Sequence, residues 1–471
     1  MEWRNRAVAV VGLGVSNMAV IRYLAGRGAR LTGFDQKTEQ ALGAKAEELR
    51  RLGVRLVLGP DYLERLDGAW DAVFLTPGMP KNAPALQRLR ERGVPFFSEI
   101  GLFFSLCKAP IVGITGSSGK TTTTTLVGEM LRRGPRPVYV GGNIGQPLLE
   151  VAEDIPGDAW VVLELSSFQL EMLDRSPHVA VVTNVTPNHL DVHGTMEAYV
   201  AAKRRIYEFQ RPGDVAVFNA DDETTRAMAA LSPGRRLAFS LEEEQPEGAW
   251  LDGDRIVARV RTPSRPGRAQ PVVVCTLADI RVPGRHNVAN VLAAVAVGSA
   301  CGLKPEWMRD AIAAFRGVRH RLELVGTWNG IRFYNDSIAT SPARAVAGIR
   351  SFAEPIVLIA GGYDKKLPFD ELAAALPGRV HTVVLLGATA AKIEQAIAAH
   401  SEKTGAVPPR IVHAGSLEEA VEQARLAARP GDVVLLSPAC ASYDMFPNFE
   451  VRGDRFRELV ARFCEPPAAA E

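Results

Sequence analysis

Short runs of valine, isoleucine and leucine alternate with longer helical patterns along almost the whole chain. Examples are AVAVV, VVLEL and IVLIA, and most runs are followed by a helical segment before the next run begins. Such alternation is typical of parallel sheets that are covered by helices. The chain has 471 residues, which is too many for one ordinary core and enough for about three domains. We therefore predict an α/β protein of three domains.

The pattern divides into three blocks. Residues 1–100 predict an N-terminal Rossmann-like domain, residues 101–317 a central domain with a P-loop ATPase-like parallel sheet, and residues 318–471 a C-terminal Rossmann-like domain. Late in the central block, residues 241–271 are rich in proline, glutamate and arginine. That composition favours exposed hairpins or a loop.

Charge and composition exclude several classes of protein. The chain has 55 lysine and arginine residues against 53 aspartate and glutamate residues, so no global basic field would attract nucleic acid. The first residues do not resemble a signal peptide, and no apolar run is long enough to span a bilayer. Five cysteines without a CxxC pair indicate neither a zinc site nor a disulfide framework. We expect a cytoplasmic monomer that binds neither nucleic acid nor membranes.

A predicted strand-to-helix junction carries the sequence GITGSSGKTT. Gly116 and Gly119 allow backbone N–H groups to approach phosphates, and Lys120 can reach the terminal phosphates. Thr121 is placed to offer its hydroxyl to Mg²⁺. The general P-loop formula has a glycine where this chain has Ile114, so the motif is a shortened one. A turn that only caps a helix is the alternative, but Gly-Lys-Thr at this junction favours an ATP-type ligand.

A second glycine turn, GLG, follows the first predicted strand. Asp35 ends the second strand at about the distance expected for a contact with a ribose. The third glycine of the dinucleotide-binding pattern GxGxxG is absent, because Asn17 stands there. From this motif alone, a tight structural turn and a nucleotide site are about equally supported.

Two further positions in the central block, Glu164 and His189, are considered for a metal site, and a third carries a cluster of basic residues. Glu164 ends an apolar strand, close to where a phosphate-loop domain holds its metal carboxylate. His189 follows another such strand, but a lone histidine is more often structural than a ligand of Mg²⁺. Lys203, Arg204 and Arg205 are adjacent on a predicted helix, and from charge alone they indicate a solvated helix face.

Several motifs resemble those of the Mur ligase family, in order and over the whole chain. They are GLGVS, TPGMP, ITGSSGKTT, GGNIG, LELSSFQL, NHLDVHG, AAKRRIYE, PGRHNVANVLAA, HRLELV, YNDSIATSP, GGYDKKLPF and LSPACASYDMFPNFEVRGDRF. The last of these is similar to the glutamate-adding branch of the family. The DNPR-type signature of diaminopimelate-adding relatives is absent.

The resemblance implies an ATP-dependent ligase of peptidoglycan precursor biosynthesis. It would add D-glutamate to UDP-N-acetylmuramoyl-L-alanine through an acyl phosphate. The three domains would carry the UDP sugar, ATP and the incoming amino acid, in that order. The implied cofactors are ATP and two Mg²⁺ ions, and the implied modification is a carbamylated Lys203.

The resemblance also assigns site residues by motif position. Those implied to act in catalysis are Lys120, Glu164, His189 and Lys203. Those implied to bind ATP are Gly116, Ser117, Ser118, Gly119, Lys120, Thr121, Thr122, Asn287, Asn290, Arg321 and Asp336. The implied metal ligands are Thr121, Glu164, His189 and Lys203. The residues that would contact the UDP substrate are Val15, Ser16, Asp35, Gln36, Lys37, Gly78 and Asn143. The residues that would bind glutamate are Thr340, Lys365, Ser442 and Phe449.

One position departs from the family pattern. The motif commonly reads NDSKAT, and here Ile338 replaces its lysine, so a cation is missing at the catalytic interface. The stereochemistry of the glutamate therefore stays open, and L-glutamate addition is an alternative. Three further functions also stay open: another Mur-type or folylpolyglutamate-type ligase, an NAD-dependent oxidoreductase built on the first glycine turn, and an ATP-driven switch or scaffold.

Overall fold

The computed structural model describes residues 2–79, 83–145, 147–261 and 269–464. In these residues the strands form three separate sheets of five, nine and six strands. Helices follow most strands, so the predicted α/β class with three sheets is confirmed. No helix within these ranges is long and apolar enough to cross a membrane.

The first sheet belongs to the N-terminal part of the chain. Its elements are β1 Ala7–Val11, α1 Val15–Ala25, β2 Arg30–Asp35, α2 Glu39–Leu42, α3 Ala44–Arg51, β3 Arg55–Leu58, a 3₁₀ helix Glu64–Leu66, β4 Ala72–Leu75, α4 Pro84–Glu91, β5 Phe96–Phe97 and α5 Glu99–Leu106. The strand order is β3-β2-β1-β4-β5, and every pairing is parallel. Successive strands are therefore added on one side of β1 and then, from β4, on its other side, which places the first glycine turn at a switch point of the sheet.

The second sheet belongs to the central part. Its elements are β6 Ile111–Thr115, α6 Lys120–Arg132, β7 Val138–Gly142, a 3₁₀ helix Leu149–Val151, β8 Trp160–Glu164, α7 Ser167–Leu170, β9 Val179–Val182, α8 Leu190–His193, α9 Met196–Glu208, β10 Val215–Asn219, α10 Glu223–Ala230, β11 Arg235–Ser240, β12 Gly248–Asp252, β13 Arg255–Arg259, β14 Val272–Thr276, a 3₁₀ helix Leu277–Asp279, α11 Arg285–Ala300 and α12 Pro305–Ala314. The strand order is β14-β13-β12-β11-β10-β9-β6-β8-β7.

The strands that carry the phosphate loop lie inside this second sheet. β6 pairs in parallel with β8 and β9, in registers that set Ile114 opposite Glu164 and Thr115 opposite Val182. The carboxyl ends of the three strands therefore meet at one edge, which is where an open α/β sheet binds its ligands.

The sequence predicts exposed hairpins or a loop at residues 241–271. Strands β12, β13 and β14 do form antiparallel hairpins at the edge of the sheet. The expected exposure is wrong for Trp250 and Ile256, whose side chains are buried. Residues 262–268 lie outside the described residues.

The third sheet belongs to the C-terminal part. Its elements are β15 Glu323–Trp328, β16 Ile331–Asn335, α13 Pro342–Ile349, β17 Ile356–Gly361, α14 Asp370–Ala375, β18 Val380–Leu386, α15 Ala390–Thr404, β19 Arg410–His413, α16 Leu417–Ala427, β20 Val433–Leu436 and α17 Phe449–Ala461. The order is β15-β16-β20-β17-β18-β19, parallel except for the β15–β16 hairpin.

The described chain forms two compact units. One contains Met1–Thr276 with Ala289–Ala311, and the other contains Leu277–Val288 with Ile312–Glu471. The first two sheets therefore share a unit, and one hydrophobic cluster includes Val8 from β1 and Val161 from β8. The exact residues at which the three domains begin and end stay a prediction.

Candidate active site

The phosphate loop connects β6 to α6. All five residues of β6 are buried, and the loop glycines Gly116 and Gly119 have φ values of 154° and 78°. A Cβ atom at Gly119 would collide with the side-chain oxygen of Asn290, and one at Gly116 would collide with the hydroxyl of Thr183. Both glycines are needed for conformation and for space.

The segment after β9 holds the loop in shape. The hydroxyl of Thr183 donates to the carbonyl of Ser118 at 2.6 Å, and the side-chain oxygen of Asn184 accepts the Ser118 N–H at 2.9 Å. The Ser117 N–H donates to the carbonyl of Asn184 at 2.9 Å. Hydrogen bonds from the end of the neighbouring strand β9 therefore hold the loop in this shape.

Two lysine side chains converge on one carbonyl oxygen of the loop. Lys120 Nζ donates to the carbonyl of Gly116 at 2.8 Å, and Lys203 Nζ donates to the same oxygen at 3.0 Å. Lys203 is 1% exposed. Burial, and secondly the charge of Lys120, lowers the pKa of Lys203 to about 6. The interpretation of Lys203 as part of a solvated helix face is therefore wrong, although its neighbour Arg204 does pair with Glu208 on that helix.

Glu164 lies at the end of β8 with its carboxylate buried. Its Oε1 atom accepts a hydrogen bond from Asn143 Nδ2 at 2.9 Å, while Oε2 is buried and has no hydrogen-bond partner. A buried carboxylate oxygen without a partner is costly unless a cation or a donor binds it. The described residues contain no group of three or more histidine, cysteine, aspartate or glutamate side chains that could hold a metal by themselves.

His189 lies in a small aromatic group beside α7 and α9. Its φ is 55°, and its side chain is exposed. The ring of Phe168 lies 5.1 Å from that of His189 and is stacked at 5.0 Å on that of His193. The Phe168 ring also comes within 3.8 Å of the position that a Cβ would take at Gly78, so it links the TPG loop of the N-terminal domain to the histidine segment.

The first glycine turn is organised by Asp35. Its carboxylate accepts the Leu13 N–H at 2.7 Å and the Lys37 N–H at 2.9 Å. Gln36 and Lys37 are exposed, as is Val15 at the start of α1.

Asn17, which replaces the third glycine of the dinucleotide pattern, has a structural role. Its fully buried side chain donates to the carbonyl of Val11 at 3.0 Å and to that of Gly12 at 2.8 Å. Its amide group thus supplies hydrogen bonds to the backbone carbonyls at the end of β1.

The residues expected to bind glutamate lie in the C-terminal unit. Lys365 is exposed, and its Nζ donates to the carbonyl of Thr340 at 3.2 Å. Partial burial of its amine, followed by the charges of Arg344 and Arg452, lowers the pKa of Lys365. Ser442 is 2% exposed, and its hydroxyl is buried without a hydrogen-bond partner.

The other assigned residues of the C-terminal unit and of α11 are in the following positions. Phe449 begins α17, and its carbonyl accepts the Ser337 hydroxyl at 2.8 Å. Asp336 is buried, and its carboxylate accepts the Ser437 hydroxyl at 2.8 Å. Burial raises the pKa of Asp336 to about 7. Arg321 precedes β15 in the same unit, while the two assigned asparagines of α11 divide between the units, Asn287 in the second and Asn290 in the first.

Comparison with known proteins identifies the family. The Mur ligase MurD-like N-terminal domain matches residues 6–98, the Mur ligase middle domain matches residues 114–298, and the Mur ligase glutamate ligase domain matches residues 320–440. UDP-N-acetylmuramoylalanine--D-glutamate ligase of Symbiobacterium thermophilum is 52% identical over 454 residues, which cover 96% of this chain and 97% of that protein. The chain belongs to the Mur ligase family.

Other relatives agree with this Mur ligase assignment. UDP-N-acetylmuramoylalanine--D-glutamate ligase of Clostridium novyi is 44% identical over 97% of each chain. Among solved structures, MurC of Thermotoga maritima matches with a TM-score of 0.59 at 21% identity, covering 97% of this chain and 100% of that chain. At that identity the structure supports the fold alone. Members of the family use ATP, so the prediction of an ATP-dependent ligase is confirmed.

Some residues of this Mur ligase site were not found from the sequence. Thr183 and Asn184 directly follow the buried strand β9, and their position at the end of a strand was the available sequence signal. Arg452 is 3% exposed and donates to the carbonyls of Ser337 and Cys440 at 2.9 and 3.0 Å. No sequence signal distinguishes it from Arg455 and Arg457, the half-buried arginines of the same helix.

Proposed function

We propose that this Mur ligase joins the carboxyl group of UDP-N-acetylmuramoyl-L-alanine to the amine of D-glutamate, with ATP as the energy source. The observation that carries the proposal is the 52% identity, over 96% of the chain, to a relative with that name. The match covers all three predicted domains, 1–100, 101–317 and 318–471. A relative that matched only one domain would not support the assignment of both the UDP substrate and glutamate.

The chemistry follows from the weakness of a carboxylate as an electrophile. ATP would first phosphorylate the alanyl carboxylate, and the amine of glutamate would then attack the acyl phosphate and release phosphate. Both steps bring negative oxygens together. The loop amides around Gly116 and Gly119, the N-terminus of α6 and Lys120 would stabilise that charge. Lys120 lies over the loop through its bond to the Gly116 carbonyl.

The residues near the loop fit a divalent cation. Glu164 offers a buried oxygen without a partner, and Thr121, His189 and a modified Lys203 would be the further ligands. Mg²⁺ would neutralise phosphate charge when it is bound there. An unmodified ammonium at Lys203 would repel such a cation.

The environment of Lys203 also fits its carbamylation. A pKa lowered to about 6 keeps most of the amine neutral at neutral pH. The neutral nitrogen can attack CO₂, so that one N–C bond forms and one proton is released. The product is a carbamate anion, which replaces the buried amine by an oxygen ligand suited to Mg²⁺.

We propose the following assignment of substrates to residues. The UDP substrate would contact Val15, Ser16, Asp35, Gln36, Lys37, Gly78 and Asn143. ATP would contact Gly116, Ser117, Ser118, Gly119, Lys120, Thr121, Thr122, Asn287, Asn290, Arg321 and Asp336. Glutamate would contact Thr340, Lys365, Ser442 and Phe449. We also propose that the protein acts as a monomer.

The decisive experiment measures phosphate release in the presence of ATP, Mg²⁺ and UDP-N-acetylmuramoyl-L-alanine. D-Glu, L-Glu, L-Lys and L-Ala are supplied separately, and products are detected by mass. We expect rapid release and a product only with D-Glu. A product with L-Glu or L-Lys instead would overturn the assigned amino acid, and release without an acceptor would indicate an ATP-driven switch.

Two variants test the assigned roles of the lysines. We expect Lys120→Ala to abolish amide formation, because the terminal phosphates lose their cation. We expect Lys203→Ala to lose activity that a high concentration of formate partly restores. Labelling the wild-type protein with ¹³CO₂ should give a carbamate signal in the NMR spectrum that Lys203→Ala lacks. Full activity of either untreated variant would refute its assigned role.

A further inference from the structure

The loop after β16 lacks the lysine that the family motif usually carries. Ile338 is half-buried in this loop, and its apolar side chain cannot pair with an anion. The Thr340 N–H donates to the Ile338 carbonyl at 2.8 Å, and α13 begins two residues later at Pro342. The chain therefore turns sharply, and the first turn of α13 comes back beside residue 338.

Arg344, in that first turn, lies over the loop. Its Nη1 atom donates to the Ile338 carbonyl at 3.3 Å. The Arg344 side chain is exposed, and in the described part of the chain it forms no ion pair. A guanidinium group has five N–H donors, so most of its hydrogen-bonding capacity stays available to a ligand.

The other charges around this loop are mainly positive. Arg344 is one of the charges that lower the pKa of Lys365, after burial, so the two cations are close. Lys365 Nζ is hydrogen-bonded to the Thr340 carbonyl at 3.2 Å. Burial also lowers the pKa of Arg452 to about 10, and this guanidinium donates to backbone carbonyls of the same region.

The acids nearby neutralise these cations only in part: the charge of Arg344 partly offsets the raised pKa of Asp336, and the charge of Asp444 partly offsets the lowered pKa of Arg452. Asp336 is buried and hydrogen-bonded to Ser437, and Asp364 pairs with Lys392. Asp444 accepts the Ala388 N–H at 3.0 Å. The face formed by Arg344, Lys365 and the Ile338–Thr340 loop therefore carries a positive surplus that an anionic ligand would balance.

We propose that Arg344 supplies the cation that Ile338 omits, and that its guanidinium binds the side-chain carboxylate of the incoming glutamate. The proposal rests on the proposed function, because it takes glutamate as the substrate. Thr340 and Lys365, which lie near Arg344, are two of the residues assigned to glutamate. A planar guanidinium can bind a carboxylate through two parallel hydrogen bonds, which a lysine cannot do. Arg344 would therefore determine specificity for an acidic side chain.

The test measures steady-state kinetics of Arg344→Ala, Arg344→Lys and the double variant Arg344→Ala, Ile338→Lys. Loss of a hydrogen bond to a charged group should raise the KM for D-glutamate about tenfold to a hundredfold in Arg344→Ala. The KM values for ATP and for the UDP substrate should stay within about twofold, as for distant sites. Arg344→Lys should be intermediate, and Ile338→Lys in the Arg344→Ala background should restore most of the loss. Arg350→Ala, at the C-terminal end of the same helix, is the matched control and should resemble the wild type.

A second arm identifies the anion. D-norvaline has a side chain of similar length without the carboxylate, so it should be a poor substrate for the wild type and equally poor for Arg344→Ala. The preference for D-glutamate over D-norvaline should therefore fall by the same factor as the affinity for D-glutamate. A rise in the KM for ATP alone would assign Arg344 to the phosphoryl group, and an unchanged KM for D-glutamate would also overturn the proposal. If the wild type itself releases no phosphate with D-glutamate, the proposed function fails instead.

Discussion

At the scale of single residues, two lysine side chains approach the same carbonyl oxygen of the phosphate loop. Lys120 and Lys203 both donate to the Gly116 carbonyl, and a second cation there is unfavourable. Burial, and secondly the charge of Lys120, lowers the pKa of Lys203 to about 6, which favours the neutral amine and relieves the repulsion. The same neutral amine is what a carbamylation reaction needs. In the proposed mechanism, the burial of Lys203 therefore favours the modification that would let it bind the metal.

Glu99 is a second buried titratable residue, and it lies outside the proposed chemistry. It is 5% exposed in the first turn of α5, and burial raises its pKa to about 7. A raised carboxyl pKa means that the unfolded chain loses the proton first as pH rises. The stability contribution of Glu99 should therefore fall between about pH 4.5 and pH 7 and stay low above that range.

Glu99→Gln should remove this dependence on pH. Relative to the wild type, we expect little change in the melting temperature near pH 4.5 and a clear increase at pH 8. At pH 8 the free energy of unfolding should rise by an amount on the order of 3 kcal/mol. Melting temperatures of both proteins at the two pH values provide the measurement. Glu91→Gln, at an exposed helix end, is the control, and an equal shift in both variants would contradict the explanation.

At the scale of elements, the junction of β6, the loop and α6 was the feature most readable from the sequence. A buried strand, two glycines and a lysine within ten positions define it locally, and the structure has the strand and the helix as expected. The partners that hold the loop were not readable. Thr183 lies 65 positions away from Ser118, and Asn290 lies 167 positions away from Thr123.

Gly119→Ala tests the fit of this junction. Gly119 has a φ of 78° and faces the Asn290 side chain, so an added methyl group is both strained and obstructed. We expect the loop to shift and the KM for ATP to rise at least about tenfold, a loss of about 1.4 kcal/mol of binding. Nucleotide titration followed by calorimetry would give the affinity directly.

Gly157→Ala is the matched control for that substitution. A Cβ at Gly157 would have open space around it. This variant should bind ATP as the wild type does. If Gly119→Ala also kept its affinity, the close approach of Asn290 to the loop would have no functional importance.

At the scale of the whole molecule, the first two sheets share one compact unit. Helix α1 packs against the 3₁₀ helix Leu149–Val151, and Leu149 is fully buried in the common hydrophobic cluster. At the rim of this contact, Glu153 pairs with Arg27 and accepts the Tyr23 hydroxyl at 3.0 Å. Buried apolar area, more than the exposed ion pairs, should hold the two sheets together.

Two substitutions separate these contributions. Glu153→Gln removes an ion pair whose side chains are 37% and 50% exposed. We therefore expect the free energy of unfolding to fall by less than about 1 kcal/mol. Leu149→Ala leaves a cavity in the shared hydrophobic cluster, and we expect the free energy of unfolding to fall by about 2–5 kcal/mol. Thermal unfolding of both variants provides the comparison. Equal losses would mean that the ion pairs at the rim matter as much as the core.

The sequence by itself determined the fold class, the phosphate loop and the family. Each of these depends on local information: the spacing of apolar residues within an element and short motifs at strand ends. These patterns lie within short stretches of the chain, so they can be recognised without knowledge of the tertiary contacts.

Only the tertiary structure decided the burial of Lys203, the bond between Asn143 and Glu164, the structural role of Asn17 and the position of Arg344 over Ile338. Lys203 lies 88 positions from Thr115, which it reaches at 3.5 Å. A charge run on a helix has the same pattern whether one member points outward or into a neighbouring sheet. Burial and pKa depend on contacts between distant segments, and those contacts exist only in the folded chain.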